Sequence, residues 1–207
     1  MQPLEPSSRS FEERKQAILT DGYFRLIMPL ETGDQAPTFS LPNANDAVGG
    51  SSMTFDDVSG SRGTLIVFEC NHCPYVVASV SRINAVAEQC ASLNIGFAGI
   101  NSNDPVVYEN DSFEHMVKRA EGGMPYPYLH DETQTVAHAY GAKRTPEFYL
   151  FDDQHRLVYQ GRMDDSPRHP GEVTSSELAD AIAALVAGEQ PSVDYTESIG
   201  CSVKWKA

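Results

Sequence analysis

Two cysteines separated by two residues, in the run Cys70-Asn71-His72-Cys73, have the types and spacing that point most directly to chemistry. They follow a short apolar stretch and precede a segment with helical periodicity. Two thiols at positions i and i+3 of a helix start lie near the separation that a disulfide requires, roughly 4.4–6.8 Å between Cα atoms. The pattern therefore predicts a pair that opens and closes a disulfide without a backbone movement.

The start of a helix also favours the thiolate, because its unpaired N–H groups and positive dipole end stabilise negative charge. We predict that Cys70 is the nucleophile and that Cys73 is the resolving thiol, which attacks the mixed disulfide at Cys70. His72 is expected to stabilise the Cys70 thiolate as a cation or a hydrogen-bond donor. Glu69, directly before Cys70, would act in the opposite direction, and the balance depends on side-chain directions.

The same pair is also half of a cysteine-rich zinc site, which is the structural alternative to redox chemistry. Such a site needs two further ligands, and the sequence has no second close cysteine pair. His72, Cys90 or Cys201 would have to complete the set, although their spacing gives no support. Placement after a buried strand favours redox use, and we assign no metal and no other cofactor.

The two remaining cysteines are separate from the pair and from each other. Cys90 falls on the apolar stripe of the helix that follows the pair, which predicts a packing role. Cys201 follows Gly200 in a C-terminal tail that we expect to be irregular. An exposed thiol there could reach the Cys70 site or a partner.

The elements that position the cysteine pair are predicted from hydrophobic periodicity. Residues 64–68 form a continuous apolar run, typical of a strand buried on both faces. Helical spacing over residues 76–90 predicts a long helix, and residues 95–100 predict a second buried strand. Strand, helix and strand in this order form a βαβ unit with parallel strands. Residues 147–151 and 157–159 indicate an antiparallel hairpin later in the chain.

Shorter segments complete this organisation. Two short runs, 38–41 and 53–55, predict a hairpin-like lead-in before the first buried strand. Apolar spacing predicts further helices over residues 112–120 and 133–140. Residues 174–177, Thr-Ser-Ser-Glu, match a capping box, so a helix is expected to begin there and to close at Gly188.

We divide the chain into three parts. Residues 1–30 are predicted to form an N-terminal helical arm, residues 31–188 form one α/β domain, and residues 189–207 form the tail. A length of 207 residues is closer to one domain than to two.

Several motifs together carry a family resemblance. The dithiol is followed by Pro74, and Thr145-Pro146 precedes the hairpin. With the segments 33–41, 131–141 and 144–152, the stretch 33–188 resembles the thioredoxin-like superfamily and, within it, the AhpC/TSA (redoxin) group. The resemblance implies a thioredoxin-like fold, with a central mixed β-sheet flanked by helices. It also implies that Pro146 is a cis-proline facing the dithiol, and that the Thr145 backbone pairs with a substrate strand.

The chain departs from the subgroups of that superfamily at informative positions. Peroxiredoxins have a Pro and a Thr or Ser where this chain has Gly63 and Val67, so the peroxidase signature is absent. Thioredoxin has Gly-Pro between its cysteines and a buried Asp on the preceding strand, where this chain has Asn71-His72 and Thr64. A histidine before the second cysteine is instead similar to protein disulfide isomerase and to a periplasmic disulfide oxidant.

Composition excludes several other classes. Fifteen Lys and Arg stand against twenty-nine Asp and Glu, and the net charge of −14 repels nucleic-acid phosphates and anionic membranes. The longest strongly apolar run, residues 65–68, is far shorter than the roughly 20 residues of a membrane span. The N-terminus lacks the apolar core of a secretory signal. Four cysteines without a dense framework favour a reducing, cytoplasmic location.

The sequence therefore predicts a cytoplasmic thiol–disulfide oxidoreductase whose redox-active centre is Cys70 and Cys73, with a role in antioxidant defence and redox homeostasis. Its substrate would be a protein or small-molecule disulfide, and its reductant a thioredoxin- or glutathione-type system. Nucleic acid and membrane are not expected partners. Two alternatives stay open: a thiol peroxidase, and a metal-binding or interaction module that uses the dithiol.

Overall fold

A computed structural model describes residues 29–207 of the chain. The predicted N-terminal helical arm, residues 1–30, lies outside the described residues except for its last two. The described part contains the strands β1 (Ser40–Pro42), β2 (Ser52–Thr54), β3 (Thr64–Phe68), β4 (Gly96–Asn101), β5 (Tyr128–His130), β6 (Arg144–Thr145), β7 (Glu147–Phe151), β8 (Leu157–Gly161) and β9 (Cys201–Ser202). Its helices are α1 (Phe55–Val58), α2 (Pro74–Ser92), α3 (Phe113–Ala120), α4 (Thr135–Tyr140) and α5 (Glu177–Ala187), with short 3-10 helices at Glu109–Asp111 and Pro170–Glu172.

A five-stranded mixed sheet, in the order β5-β4-β3-β7-β8, forms the centre of the fold. The strand β3 lies in its middle, parallel to β4 and antiparallel to β7. Every residue of β3 is buried, as expected of a strand that is covered on both faces. The parallel β3-α2-β4 unit and the antiparallel β7-β8 hairpin confirm the predicted α/β architecture, and β1 paired with β2 confirms the hairpin lead-in.

Helices cover both faces of this sheet, and alternate residues of β3 point to opposite sides. Leu65 and Val67 pack with residues of α2, α3 and α5 in one apolar core. Ile66 and Phe68 pack on the other side with residues of α1 and α4. The chain leaves the carboxyl end of β3 between these layers, and the cysteine pair begins two residues later.

The start of α2 differs from the expectation in a way that matters for the cysteines. The helix begins at Pro74, and Cys73 is its N-cap residue. Proline is well suited to the first helical position, because its fixed φ fits the helix and its missing N–H would be unpaired there anyway. Cys70 therefore lies in the connection between β3 and α2, and only Cys73 lies at the helix terminus.

The predicted capping box at residues 174–177 is wrong. The helix α5 begins at Glu177 with Ser176 as its N-cap, and no side chain caps it. The two residues of the box are bonded elsewhere, since Thr174 donates to the Asp165 carboxylate and Glu177 forms an ion pair with Arg162. The end of the helix is as predicted, because Gly188 adopts a φ of 75° at the C-cap.

The C-terminal tail is mostly irregular, as expected, but it is firmly packed against the domain. Gln160 in β8 exchanges backbone hydrogen bonds with the tail, donating to Asp194 and accepting from Thr196, both at 2.9 Å. Near its end the tail forms β9, which pairs with β6. The ring of Trp205 stacks on that of His138 at 4.2 Å between centroids. None of the helices in residues 29–207 has the length and apolarity that crossing a bilayer requires.

Cys90 has the packing role that its helical position predicts. It lies on α2 and is fully buried in the apolar core that contains Leu65 and Val67. Burial raises the pKa of its thiol to about 12. We expect this thiol to stay unmodified when the folded, reduced protein is treated with iodoacetamide, and to react fully after denaturation. Mass spectrometry of the tryptic peptide 83–118, which contains no other cysteine, would measure this. Labelling of Cys90 as fast as a free thiol in the folded protein would contradict the packing role.

Candidate active site

The cysteine pair lies at the carboxyl end of β3, buried below the surface. The exposed fraction is 1% for Cys70 and 0% for Cys73. All four cysteines are free thiols. The pair is packed in the same apolar core as Val76 and Phe148, so solvent is largely excluded from both sulfur atoms.

Thr145 contacts both sulfur atoms of the pair. It lies in β6, directly before Pro146, and the peptide bond between them is cis, as the family resemblance implies. The Thr145 hydroxyl lies 3.5 Å from the Cys70 sulfur, and the Thr145 carbonyl accepts a hydrogen bond from the Cys73 thiol at 3.1 Å. One residue therefore touches each thiol through a different group.

The pKa values of the two neighbouring thiols shift in opposite directions. A hydrogen bond from the Cys70 thiol lowers the pKa of Cys73 to about 4, against the opposing effect of burial. The same hydrogen bond raises the pKa of Cys70, together with burial and the Asp111 carboxylate. A further hydrogen bond from the backbone N–H of Val76, in the first turn of α2, also favours the Cys73 thiolate. The first ionisation of the pair thus lies below that of an ordinary cysteine.

Glu69 does not face the cysteine pair as an unpaired charge. Its side chain is fully buried, forms an ion pair with Arg119 and accepts a hydrogen bond from Tyr126 at 2.8 Å. The expectation that Glu69 opposes the Cys70 thiolate assumed a carboxylate without a partner. Because Arg119 balances its charge, Glu69 instead anchors the strand end.

Arg119 links α3 to the loop that carries Cys70. One of its guanidinium nitrogens donates to the Cys70 carbonyl at 2.9 Å and to the Tyr128 hydroxyl at 3.1 Å. The guanidinium also lies over the Tyr128 ring, 5.0 Å from its centroid. These contacts fix the position of the Cys70 backbone relative to α3.

His72 is held by a buried carboxylate. Its Nδ1 lies 2.5 Å from a carboxylate oxygen of Asp111, and its ring stacks on that of Tyr108 at 5.0 Å between centroids. Asp111 also accepts the backbone N–H of Asn71 at 2.7 Å and the side-chain amide of Asn103 at 2.8 Å. The structure therefore places His72 beside the pair with its Nδ1 directed to Asp111, and its predicted influence on Cys70 stays a prediction.

A metal could be held by three of these groups. The Cys70 sulfur, the His72 Nδ1 and an Asp111 oxygen lie within 4.8 Å of one another. However, the His72 and Asp111 atoms are 2.5 Å apart, whereas two ligands bonded at about 2.0–2.2 Å to one tetrahedral zinc are separated by roughly 3.3 Å. As arranged, they form a hydrogen-bonded pair.

Asp111 and Arg119 were not predicted from the sequence. The signal for Asp111 was available in part, since it lies in the segment after β4, and the carboxyl ends of neighbouring parallel strands lie at one edge of a sheet. Arg119 had no such signal, because a basic residue in the last turn of a helix is usually solvated.

Cys201 is the other feature that tertiary structure brings to the site. Cys201 in β9 lies opposite Thr145 in β6, and its side chain packs on the core that contains Cys73. The tail thus occupies the backbone edge of Thr145 that the resemblance assigns to a substrate strand. Substrate pairing at Thr145 stays a prediction, and it would require this part of the tail to move away.

Comparison with known proteins places this site in a family. The AhpC/TSA family matches residues 32–160. An uncharacterized conserved protein from Geobacillus kaustophilus is 41% identical, with 86% of this chain and 93% of that chain covered and a TM-score of 0.79. A hypothetical protein from Sinorhizobium meliloti 1021 is 35% identical, with 87% and 97% covered and a TM-score of 0.79.

More distant structures share the fold alone. The thioredoxin domain of a thiol-disulfide oxidoreductase from Bacteroides vulgatus is 16% identical, with 69% of this chain and 96% of that chain covered and a TM-score of 0.52. No curated protein matches the chain. The family match, which spans more than half of the chain, and the mixed sheet flanked by helices show that this thioredoxin-like chain belongs to the AhpC/TSA family.

Proposed function

We propose that this protein is a thiol–disulfide oxidoreductase that cycles Cys70 and Cys73 between a dithiol and a disulfide. Membership of the AhpC/TSA family supports an oxidoreductase activity in general. The observation that carries the finer proposal is the convergence of two buried thiols on one residue, since the Thr145 hydroxyl lies 3.5 Å from the Cys70 sulfur and the Thr145 carbonyl accepts a hydrogen bond from the Cys73 thiol at 3.1 Å.

In the reductive direction, the Cys70 thiolate attacks one sulfur of a substrate disulfide. A Cys70–substrate bond forms, the substrate S–S bond breaks, and the leaving thiolate takes a proton. The Cys73 thiolate then attacks the Cys70 sulfur, which releases the second substrate thiol and closes the Cys70–Cys73 disulfide. Two electrons pass from the dithiol to the substrate, and an external dithiol must restore them.

Thr145 supports Cys70 as the attacking thiol. A proton can move from Cys70 to Cys73, where the thiol donates to the Thr145 carbonyl at 3.1 Å. The Cys70 thiolate that this leaves accepts a hydrogen bond from the Thr145 hydroxyl, which opposes in part the rise in the Cys70 pKa that Cys73, burial and Asp111 cause. Once Cys70 is bonded to the substrate, the helix N–H of Val76 favours the Cys73 thiolate that resolves the intermediate.

The proposed partners follow from this chemistry. A protein or small-molecule disulfide is the substrate, and a thioredoxin- or glutathione-type system is the reductant. A cytoplasmic location would supply the reducing conditions that maintain the four free thiols of the structure. A role in antioxidant defence and redox homeostasis fits that location.

A thiol peroxidase is the second candidate, because the AhpC/TSA family match spans the site. The geometry favours it less. Val67 is a buried apolar residue of β3 and has no hydroxyl to donate near the sulfur. Fast, Cys70-dependent turnover of hydrogen peroxide without disulfide exchange would favour this candidate over ours.

A metal-binding module is the third candidate, since Cys70, His72 and Asp111 lie close together. Metal analysis of anaerobically purified protein would distinguish it. Stoichiometric zinc or copper that is lost in the Cys70→Ser/Cys73→Ser variant would support the metal role.

The order of the two thiols can be tested by trapping. We expect Cys73→Ser to accumulate a mixed disulfide with glutathione at Cys70 when it is treated with glutathione disulfide, because the resolving thiol is missing. Cys70→Ser should lose most catalysed disulfide exchange and retain only slow oxidation of its remaining thiols. Mass spectrometry of the tryptic peptide 63–82, which contains both positions, reads the adduct, and Cys90→Ala serves as the control.

Full disulfide exchange by Cys70→Ser would contradict the proposal. A redox titration gives an independent check, since a two-electron transition confined to the pair is expected. A midpoint near about −270 mV would indicate a reductant, and one near about −120 mV an oxidant. If no Cys70–Cys73 disulfide formed at any potential, the proposed function would be wrong.

The opposite pKa shifts of the two thiols predict a pH dependence. In the reduced protein, ultraviolet thiolate absorbance should show one thiolate that persists far below the ordinary pKa of 9.0, down to a pKa of about 4 for Cys73. Cys70→Ala removes the hydrogen-bond donor, so the pKa of Cys73 should rise toward 9.0. A midpoint that is unchanged in Cys70→Ala would contradict this effect of Cys70 on Cys73.

The same ionisation affects stability, and its sign follows from linkage. Because the folded pKa of Cys73 lies below the unfolded value near 9.0, the thiolate stabilises the folded state above that pH. This stabilisation is lost as the pH falls through the folded pKa. Relative to Cys73→Ser, the free energy of unfolding of the reduced protein should therefore decrease from pH 9.0 toward pH 4.

The buried ion pair behind the site predicts a stability effect. Arg119→Met leaves the Glu69 carboxylate buried without its counterion, and breaking such a pair costs about 3–5 kcal/mol of the free energy of unfolding. Adding Glu69→Gln should recover most of this loss, because the buried charge is then gone. Chemical denaturation would measure both variants. Lys118→Met, at the neighbouring exposed position, should change little, and an equally small effect of Arg119→Met would contradict the role of the pair.

A further inference from the structure

We propose that Cys201 is a third redox thiol, which takes over the disulfide from the oxidised Cys70–Cys73 pair and presents it to the reductant at the surface. This inference rests on the proposed function, because it needs a Cys70–Cys73 disulfide to act on. It assigns to the C-terminal tail a step in the catalytic cycle.

The position of Cys201 is set by backbone pairing. Cys201 in β9 lies opposite Thr145 in β6. The Thr145 carbonyl accepts a hydrogen bond from the Cys73 thiol at 3.1 Å. The Cys201 side chain packs on the apolar core that contains both cysteines of the pair. The Cys73 and Cys201 thiols are near enough that each shifts the pKa of the other. Cys73 therefore has one thiol neighbour in the pair and a second in the tail.

The residue before Cys201 permits this close approach. A Cβ at Gly200 would lie 2.2 Å from the Thr145 carbonyl oxygen and 3.1 Å from the Pro146 nitrogen. Both are backbone atoms that cannot rotate away, so any larger residue at Gly200 would push the tail from the site. Glycine at this position keeps Cys201 within reach of Cys73.

The residues that follow Cys201 also fix the position of the tail. The Val203 N–H donates to the Lys143 carbonyl at 3.0 Å, and the Lys204 N–H donates to the Asn103 side chain at 2.8 Å. The Lys204 carbonyl accepts the Gln134 amide at 2.8 Å. Cys201 thus lies in an anchored segment at a defined place.

Exposure explains why a third thiol is useful. Cys70 is 1% exposed and Cys73 is 0% exposed, so a protein reductant has little access to a disulfide between them while the tail is paired with Thr145. Cys201 is partly exposed. Moving the disulfide to Cys201 brings one of its sulfur atoms to where an external thiolate can attack.

The step is an intramolecular thiol–disulfide exchange. The Cys201 thiolate attacks the Cys73 sulfur, a Cys73–Cys201 bond forms, and the Cys70–Cys73 bond breaks. The proton released by Cys201 goes to the Cys70 thiolate, and no net oxidation occurs. An external dithiol of the thioredoxin type, or two glutathione molecules in succession, then reduces the new disulfide to the Cys73 and Cys201 thiols and is itself oxidised to a disulfide.

The charge of Cys73 affects when this step occurs. Burial and, after it, the hydrogen bond and charge of Cys73 raise the pKa of Cys201 to about 11 in the reduced protein. When Cys73 is part of a disulfide, its negative charge is gone. Burial still raises the pKa of Cys201, but the contribution from the Cys73 charge is removed, so Cys201 ionises more readily after the pair has been oxidised than before.

The test uses the fact that trypsin separates the thiols. Cys70 and Cys73 lie on peptide 63–82, Cys90 on peptide 83–118, and Cys201 on peptide 169–204. Reduced full-length Cys70→Ser is treated with glutathione disulfide, quenched with acid, alkylated and digested without reduction. We expect peptides 63–82 and 169–204 joined by a disulfide within one chain, and loss of that product in Cys70→Ser/Cys201→Ser. Wild-type protein should divide into two populations, one with a Cys70–Cys73 bond and one with a Cys73–Cys201 bond.

A second variant changes the tail and keeps every thiol. Gly200→Ala should form the Cys70–Cys73 disulfide and lose the linked peptides, because its Cβ displaces the tail from Thr145. Gly171→Ala, at a position with open space around the Cβ, is the matched control and should retain both bonds. A cooperative unfolding transition of Gly200→Ala in chemical denaturation shows that the variant is folded.

The outcomes separate this inference from the proposed function. A Cys70–Cys73 disulfide in wild type, without any Cys73–Cys201 bond in wild type or Cys70→Ser, would overturn the role of Cys201 and leave the oxidoreductase intact. Only intermolecular Cys201 disulfides would overturn it equally. Absence of every disulfide at Cys73 in wild type would instead refute the proposed function.

Discussion

The buried ion pair between Glu69 and Arg119 is the constraint on which the site depends. A carboxylate that is fully buried at the end of the central strand destabilises the fold unless a counterion and hydrogen bonds accompany it. Arg119 supplies the charge from α3, and the same guanidinium donates to the Cys70 carbonyl. Because Arg119 neutralises Glu69 and also binds the Cys70 carbonyl, it fixes the backbone of Cys70. The geometry of the thiols therefore depends on the packing of α3 near the end of β3.

Thr145 positions the thiols themselves, as Arg119 positions the Cys70 backbone. It contacts the Cys70 sulfur through its hydroxyl and the Cys73 sulfur through its carbonyl, so it influences which thiol is ionised. Its backbone also pairs with Cys201. In the proposed cycle, one residue beside Pro146 therefore connects thiol ionisation, disulfide formation and the tail.

Burial of the pair has two opposite effects on such chemistry. A low-dielectric environment strengthens the hydrogen bonds at the pair, and these hydrogen bonds oppose the rise in thiol pKa that burial itself causes. The same burial restricts access for a large partner. A partly exposed third thiol in contact with Cys73 would reconcile these requirements, since chemistry would proceed inside and reduction outside.

The sequence by itself determined the local elements and the chemistry-bearing pair. Continuous apolar residues at 64–68 and helical spacing at 76–90 predict β3 and α2 because these periods directly reflect burial in a sheet or along one helix face. Family-like motifs predicted the mixed sheet and the residues before its hairpin. The short β5 was not predicted, because three residues carry too little periodic signal.

Tertiary structure alone decided which side chains meet at the pair. Asp111, Arg119 and Cys201 are distant from Cys70 in sequence, and each reaches the site through the packing of a different element. Local patterns also misassigned the start of α5, because Asp165 and Arg162 bind the residues of the expected capping box. The reason is physical: periodicity records whether a residue is buried, whereas the partner of a buried charge or thiol depends on how separate elements pack.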